Sequence, residues 1–371
     1  MTKVKLSIFI ATLILGALIL VGCSSASKTG DNVAANKVED KEQQTENNDE
    51  HADGTKPVQY YYTANEGGSI SKIDAATNSI VSTIEVDGSV HNVQVAPDGK
   101  MIGATVVPKM AGHGGDENGH GEEMEMSAKV LFFSIESDEL LKEVEVGNHP
   151  AHIVFTEDGK LAIVTNNEDN NVTVIDMASF NVVSTVDTGK GPHGFRISAD
   201  SKSAYIANMG EDTVSVVNLD TMKEEKRIKV GAAPVTTGVT SDGKTLVATL
   251  NGENALAVVD LATEKVAKIP VGIGPAQVYI DEKDQFAYVA NQGTEEDPSN
   301  SVTVIDLASK KATAEIITGK GSHGVVTSPD NKMVYVTNMF EDTVSIIDKE
   351  KNTVIETIEV KGVPNGISIT D

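Results

Sequence analysis

Imidazole, thioether and carboxylate side chains crowd into one short stretch of this sequence. It reads Met110-Ala111-Gly112-His113-Gly114-Gly115-Asp116-Glu117-Asn118-Gly119-His120-Gly121-Glu122-Glu123-Met124-Glu125-Met126. Imidazole with thioether suits copper, and imidazole with carboxylate also suits zinc. Further histidines stand at His91, His152, His193 and His323. Two related stretches place a methionine after an asparagine, Asn208-Met209 with Glu211-Asp212 and Asn338-Met339 with Glu341-Asp342. The candidate metal site takes His91, His193 and His323 as inner ligands with His152 as a further one. His113, His120, Met124 and Met126 would capture or deliver the ion, with Met209 and Met339 nearby, and copper is expected ahead of zinc. The plainer alternative is that each histidine hydrogen-bonds a neighbouring backbone carbonyl, the methionines fill gaps, and the loop is a solvated insertion.

Other chemistry has little support. Residues 189–194 and 319–324 both fit GxGxxG, but each lies between strand-like runs and opens no helix, so the phosphate-binding geometry is missing. The acid pairs Glu211-Asp212 and Glu341-Asp342 recur with a turn, where they solvate and cap backbone groups. No GxSxG, HExxH, P-loop or calcium-loop pattern occurs.

The elements that must position these residues follow from an internal repeat. An apolar run ending in Asp or an equivalent residue recurs at Asp74, Ser134, Asp176, Asn218, Asp260, Asp306 and Asp348, at intervals of 60, 42, 42, 42, 46 and 42 residues. A turn containing Asp98, Asp158, Asp200, Asp242 and Asp330 keeps the same period. Each unit holds four short runs rich in Val, Ile, Thr and Tyr, with Gly, Asp and Asn between them, and no stretch of the body sustains a helical period. The pattern predicts an all-β protein, a seven-bladed β-propeller of four-stranded blades.

That architecture collects the scattered residues. The start of a blade's first strand and the turn between its second and third strands lie at the same end. His91, Ala151, His193, Val235, Ala276, His323 and Asn365 occupy the first-strand position, with His152 one residue beyond Ala151. They should ring one mouth of the channel. The 18-residue excess in the first interval places the His/Met insertion, at about 107–127, on the same face. Ring closure is also expected, because the body opens on Gln59-Tyr60-Tyr61-Tyr62-Thr63, equivalent to a second strand, and ends on Gly366-Ile367-Ser368-Ile369, equivalent to a first.

Tyr335-Val336-Thr337-Asn338 spells the tetrapeptide of the YVTN β-propeller repeat family, and Tyr288-Val289-Ala290-Asn291, Tyr205-Ile206-Ala207-Asn208 and Val164-Thr165-Asn166 are variants of it. Residues 58–371 therefore resemble that family. Similar propellers occur in surface-layer proteins, a DNA-binding periplasmic protein, lactonases and the amino-terminal domain of nitrous oxide reductase. The resemblance implies the fold and leaves the activity open. Compared with nitrous oxide reductase, the chain has fewer ring histidines and no cupredoxin domain after the propeller.

Composition narrows the setting. The chain has 371 residues, a net charge of −25, one cysteine, no tryptophan and 4% aromatics. One cysteine excludes an intrachain disulfide or a multi-cysteine cluster, and the acidic balance argues against a nucleic-acid partner. Lys3 and Lys5 precede an apolar run from Leu6 to Leu20, and Leu20-Val21-Gly22-Cys23 resembles the bacterial lipobox. Residues 1–22 then form a lipoprotein signal peptide, Cys23 carries the lipid, and the polar stretch to residue 57 is a solvated tether. Loss of the two signal-peptide lysines takes the charge to −27. The expectation is a monomeric lipoprotein on the outer face of the cytoplasmic membrane, acting as a binding module for a metal ion or for a protein or cell-wall partner. The alternatives are an enzyme using the same mouth, lactonase-like or metal-dependent, and a surface adhesion scaffold.

Overall fold

A computed structural model describes residues 58–108 and 128–371. Cys23, the segment before residue 58, and His113, His120, Met124 and Met126 lie outside the described residues. Within them the chain forms seven four-stranded antiparallel sheets, as the repeat predicts. Blade 1 is completed by the last strand, Pro364–Ile369, which pairs with Tyr60–Asn65 through Tyr61 opposite Ile369 and Thr63 opposite Ile367. Blade 2 begins at Ser89–Val95 and blade 3 at Pro150–Phe155. Blades 4 to 7 begin at Pro192–Ile197, Pro234–Val239, Pro275–Ile280 and Ser322–Thr327. First strands of neighbouring blades touch all the way round, so they line the axis.

The core is correspondingly divided. Seven apolar clusters each join two adjacent blades, from Tyr62, Ile70, Val93 and Phe133 between blades 1 and 2 to Tyr61, Tyr335, Ile346 and Ile367 between blades 7 and 1. Alternation in the strands supplies one apolar face to each neighbour. The final strand thus contributes to a core as well as covering an edge.

The tetrapeptide motif has a physical reason. Its asparagine ties the second-to-third-strand turn: Asn338 Nδ2 donates to Thr343 Oγ1 and Ser345 Oγ, both at 2.9 Å, and Asn208 does the same to Thr213 and Ser215. Its threonine stitches blades together. Thr165 Oγ1 accepts from the His152 amide at 2.9 Å and donates to the His193 carbonyl at 2.8 Å. Thr105 donates likewise to the Ala151 carbonyl, and Thr337 to that of Asn365. The repeat therefore fixes the backbone that carries the candidate ligands.

Candidate metal centre

Each first strand is irregular at its start. In blade 2, Val90 pairs with Val106 and Asn92 with Thr105, leaving His91 as the extra residue. In blade 3, Pro150 pairs with Asn166 and Ile153 with Val164, so Ala151 and His152 together oppose Thr165. Regular strands turn successive side chains to opposite faces, and a bulge suspends that alternation. His152 is one residue out of step with His91 and His193, yet it joins them. Its equivalent on the next blade is Gly194, which has no side chain to obstruct it. A Cβ at Gly194 would lie 2.5 Å from Thr236 Oγ1 and 2.9 Å from the Val235 carbonyl oxygen, so glycine follows His193 for a steric reason.

His91, His152 and His193 each offer a ring nitrogen, and these nitrogens lie within 4.8 Å of one another. His91 Nε2 and His193 Nε2 are 3.3 Å apart. Two imidazole nitrogens about 2.0–2.1 Å from a tetrahedral ion stand about 3.4 Å apart, so that pair is already spaced for coordination. Between them in the ring, blade 3 presents the small Ala151, which lets the rings meet at a centroid distance of 5.3 Å.

The partners of the outer nitrogens define the tautomers. His193 Nδ1 is 3.3 Å from the Val235 carbonyl oxygen and must donate to it, leaving Nε2 as a lone pair in the neutral ring. His91 Nδ1 is 3.1 Å from Glu66 Oε1, and Asn365 Nδ2 donates to the same oxygen at 2.6 Å. Burial alone would raise the Glu66 carboxyl. The hydrogen bond and charge of His91 and the Asn365 amide outweigh it, holding the group at about 2. A carboxylate behind a histidine ligand orients the ring and increases its basicity.

His152 is 1% exposed, and its Nε2 has no hydrogen-bond partner among the described residues. Burial, reinforced by His193 and His91, pushes its ring well below the usual imidazole range. Burial, then His91 and His323, brings His193 down to about 3. Both rings are therefore neutral at pH 7, the form a metal requires.

His323 is not in the trio. It is 6% exposed, with Nδ1 at 3.4 Å from both the Gln277 amide nitrogen and the Asn365 carbonyl oxygen. Met339 Sδ accepts from Gln292 Nε2 at 3.3 Å, and Met209 is 40% exposed at the surface. Two residues beyond the sequence-derived set do face the trio: Glu66, and His149, whose ring centroid is 6.2 Å from that of His91 and whose Nδ1 is 3.6 Å from Glu168 Oε1. Glu66 follows Asn65 just as Met209 and Met339 follow Asn208 and Asn338, so the repeat position carried the signal.

Known structures share this architecture. Hydrazine synthase from Kuenenia stuttgartiensis is 20% identical, with a TM-score of 0.64 over 75% of this chain and 89% of that one. A functionally unknown protein from Desulfotomaculum acetoxidans is 12% identical, with a TM-score of 0.69 over 84% and 98%. A protein named provisionally as a 6-phosphogluconolactonase from Bacteroides fragilis is 16% identical, with a TM-score of 0.67 over 85% and 98%. At these identities the likeness is one of fold, and it fits the YVTN-like propeller expected from the tetrapeptides. No curated protein matches the sequence. The choice-of-anchor I domain matches residues 51–285, which points to a cell-surface or extracytoplasmic protein, and the chain belongs to that family.

Proposed function

We propose that this chain is a membrane-anchored, extracytoplasmic β-propeller that binds a transition-metal ion, copper ahead of zinc, at one mouth of its channel. It serves as a binding module. The observation that carries this reading is the convergence of His91, His152 and His193, with a buried His152 Nε2 that has no partner among the described residues. A buried polar atom left unpaired costs roughly 1–3 kcal/mol, which coordination would offset. Three converging imidazoles suit copper or zinc, and Glu66 stands behind one of them, where a carboxylate orients the ring. The competing arrangement is a doubly protonated His91 that donates Nδ1–H to Glu66 and Nε2–H to His193, with no ion.

Metal analysis of the detergent-extracted full chain after copper or zinc loading and desalting separates the two. About one ion per chain should be retained by the wild type and by a His113→Ala/His120→Ala loop variant, and lost by His91→Ala/His193→Ala. Equal content in the wild type and the His91→Ala/His193→Ala protein, or no metal in any of them, would sink the reading. Anchoring through Cys23 has its own test. Mass analysis of the membrane-extracted chain should find a diacylglycerol mass on an amino-terminal Cys23, and a chain without that mass would exclude lipidation there. The lactonase-like alternative takes no residue from the neighbouring structures, whose likeness is of fold.

A further inference from the structure

The channel has a second mouth, at the far ends of the first strands. A cavity of about 310 Å³ opens there. Arg196, Gly238 and Tyr279 hold the same register position in blades 4, 5 and 6, opposite Tyr205, Val247 and Tyr288 of the second strands. Because blade 5 contributes only glycine, no side chain separates the other two. The Arg196 guanidinium lies over the Tyr279 ring, 5.6 Å from its centroid. One of its N–H groups donates to the Phe195 carbonyl at 3.0 Å. Glu157, Glu282 and Asp371 line the same cavity at a single repeat position, three residues further along the chain. Among the described residues none of these carboxylates is within ion-pair distance of Arg196. Glu282 accepts from Thr327 Oγ1 at 3.3 Å, and Glu157 and Asp371 have no hydrogen-bonding partner there.

Cation and carboxylates thus share one cavity without meeting. A guanidinium has five donors in a fork that fits a carboxylate, and most of this fork is unused. A simple anion on Arg196 would be repelled by the three carboxylates, and a simple cation among the carboxylates would leave the guanidinium fork without an acceptor. A molecule carrying both charges satisfies both ends. The volume sits at the small end of ligand sites, about 300–1,000 Å³. We propose that this mouth binds a small zwitterion of the amino-acid class, its carboxylate on Arg196, its ammonium between Glu157, Glu282 and Asp371, and its carbon skeleton against Tyr279. The site is independent of the histidine mouth.

The test is calorimetric titration of the full chain with each proteinogenic amino acid, alongside the amine lacking the carboxylate and the acid lacking the amine for whichever binds. At least one amino acid should bind, and both monofunctional analogues should bind at least tenfold more weakly. Arg196→Gln should lose at least tenfold in affinity, with an unchanged cooperative thermal transition as the sign of an intact ring. Should Arg196→Gln not fold, Glu157→Gln/Glu282→Gln at the exposed rim should show the same loss. Binding by no amino acid, equal binding by the bare amine or acid, or unchanged affinity in the variants would overturn the proposal.

Discussion

The histidine mouth has two unlike arcs on one backbone. Blades 2, 3 and 4 present His91, Ala151-His152 and His193, whereas blades 5, 6, 7 and 1 present Val235-Thr236, Ala276-Gln277, His323-Gly324 and Asn365-Gly366. Both arcs carry the same starting irregularity in the first strand and the same threonine bridge between blades. The repeat therefore builds a mouth and leaves its chemistry to two adjacent positions per blade. Imidazole nitrogens converge only where three consecutive blades supply histidine and the middle one also supplies a small residue. His323 shows the contrary case. Blade 1 lies between it and His91, and there Asn365 and Glu66 occupy the side of His91 that His323 would need.

Both arcs depend on a closed ring, and the largest effect should come from opening it. Deleting residues 362–371 removes the strand that pairs with Tyr60–Asn65 and takes Ile367 from the core between blades 7 and 1. It also removes Asn365 from Glu66. Loss of a cooperative thermal transition is expected, and a truncated protein that melts at the wild-type temperature would show that the ring does not depend on this closure. Next in size is the contrast between arcs. On the proposed metal site, His193→Ala should weaken metal binding by a hundredfold or more, because it deletes the imidazole whose Nε2 is 3.3 Å from that of His91. His323→Ala should change it by less than about threefold, and equal losses from both would merge the arcs into one site.

The fold was legible because it is repetitive. The 42-residue period, the tetrapeptides and the mismatched ends each constrain the ring, and the structure agrees with all three. The face of the candidate residues was legible for the same reason, since equivalent positions share a face. Which of them meet was not. Strand alternation would turn His152 away from its neighbours, and only the bulge at Ala151-His152 brings it in. His91, His193 and His323 look alike at one repeat position, but side-chain reach depends on what the intervening blade offers. Ala151 leaves room and Asn365 with Glu66 does not. Glu66 was readable from its place after Asn65, and its significance depended on knowing that blade 1 adjoins His91 through the closing strand.

The next effect concerns His323, on the arc without the trio. Burial, then the neighbouring His91, lowers its ring to about 4 despite the opposing pull of Glu66 and the Asn365 carbonyl. In the unfolded chain the same group titrates near 6.5, so below that pH the unfolded state takes up the proton first and the folded state loses stability. The loss should begin below about pH 6.5, be complete near pH 4, and reach about 3 kcal/mol for this group. Metal-free wild type should lose that much more stability over this window than His323→Gln. Parallel pH profiles for the two proteins would remove His323 as the source.

The smallest effect expected isolates the carboxylate from the proposed ligands it stands behind. Glu66→Gln keeps the size and the hydrogen-bonding reach of the side chain but removes its charge behind His91 Nδ1. Losing a hydrogen-bond partner behind a ligating histidine typically costs about 10–100-fold in metal affinity, or roughly 1.4–2.7 kcal/mol. A purely structural Glu66 would show as a lower melting temperature in the metal-free protein with the metal affinity unchanged. A charge acting through His91 would weaken the metal and leave the metal-free melting temperature within a few degrees of wild type. The same substitution should leave Arg196 and the opposite mouth untouched, since Glu66 lines only the histidine end. If affinity is unaffected, the histidine arc coordinates without help from blade 1, and the difference between the arcs resides in the three imidazoles alone.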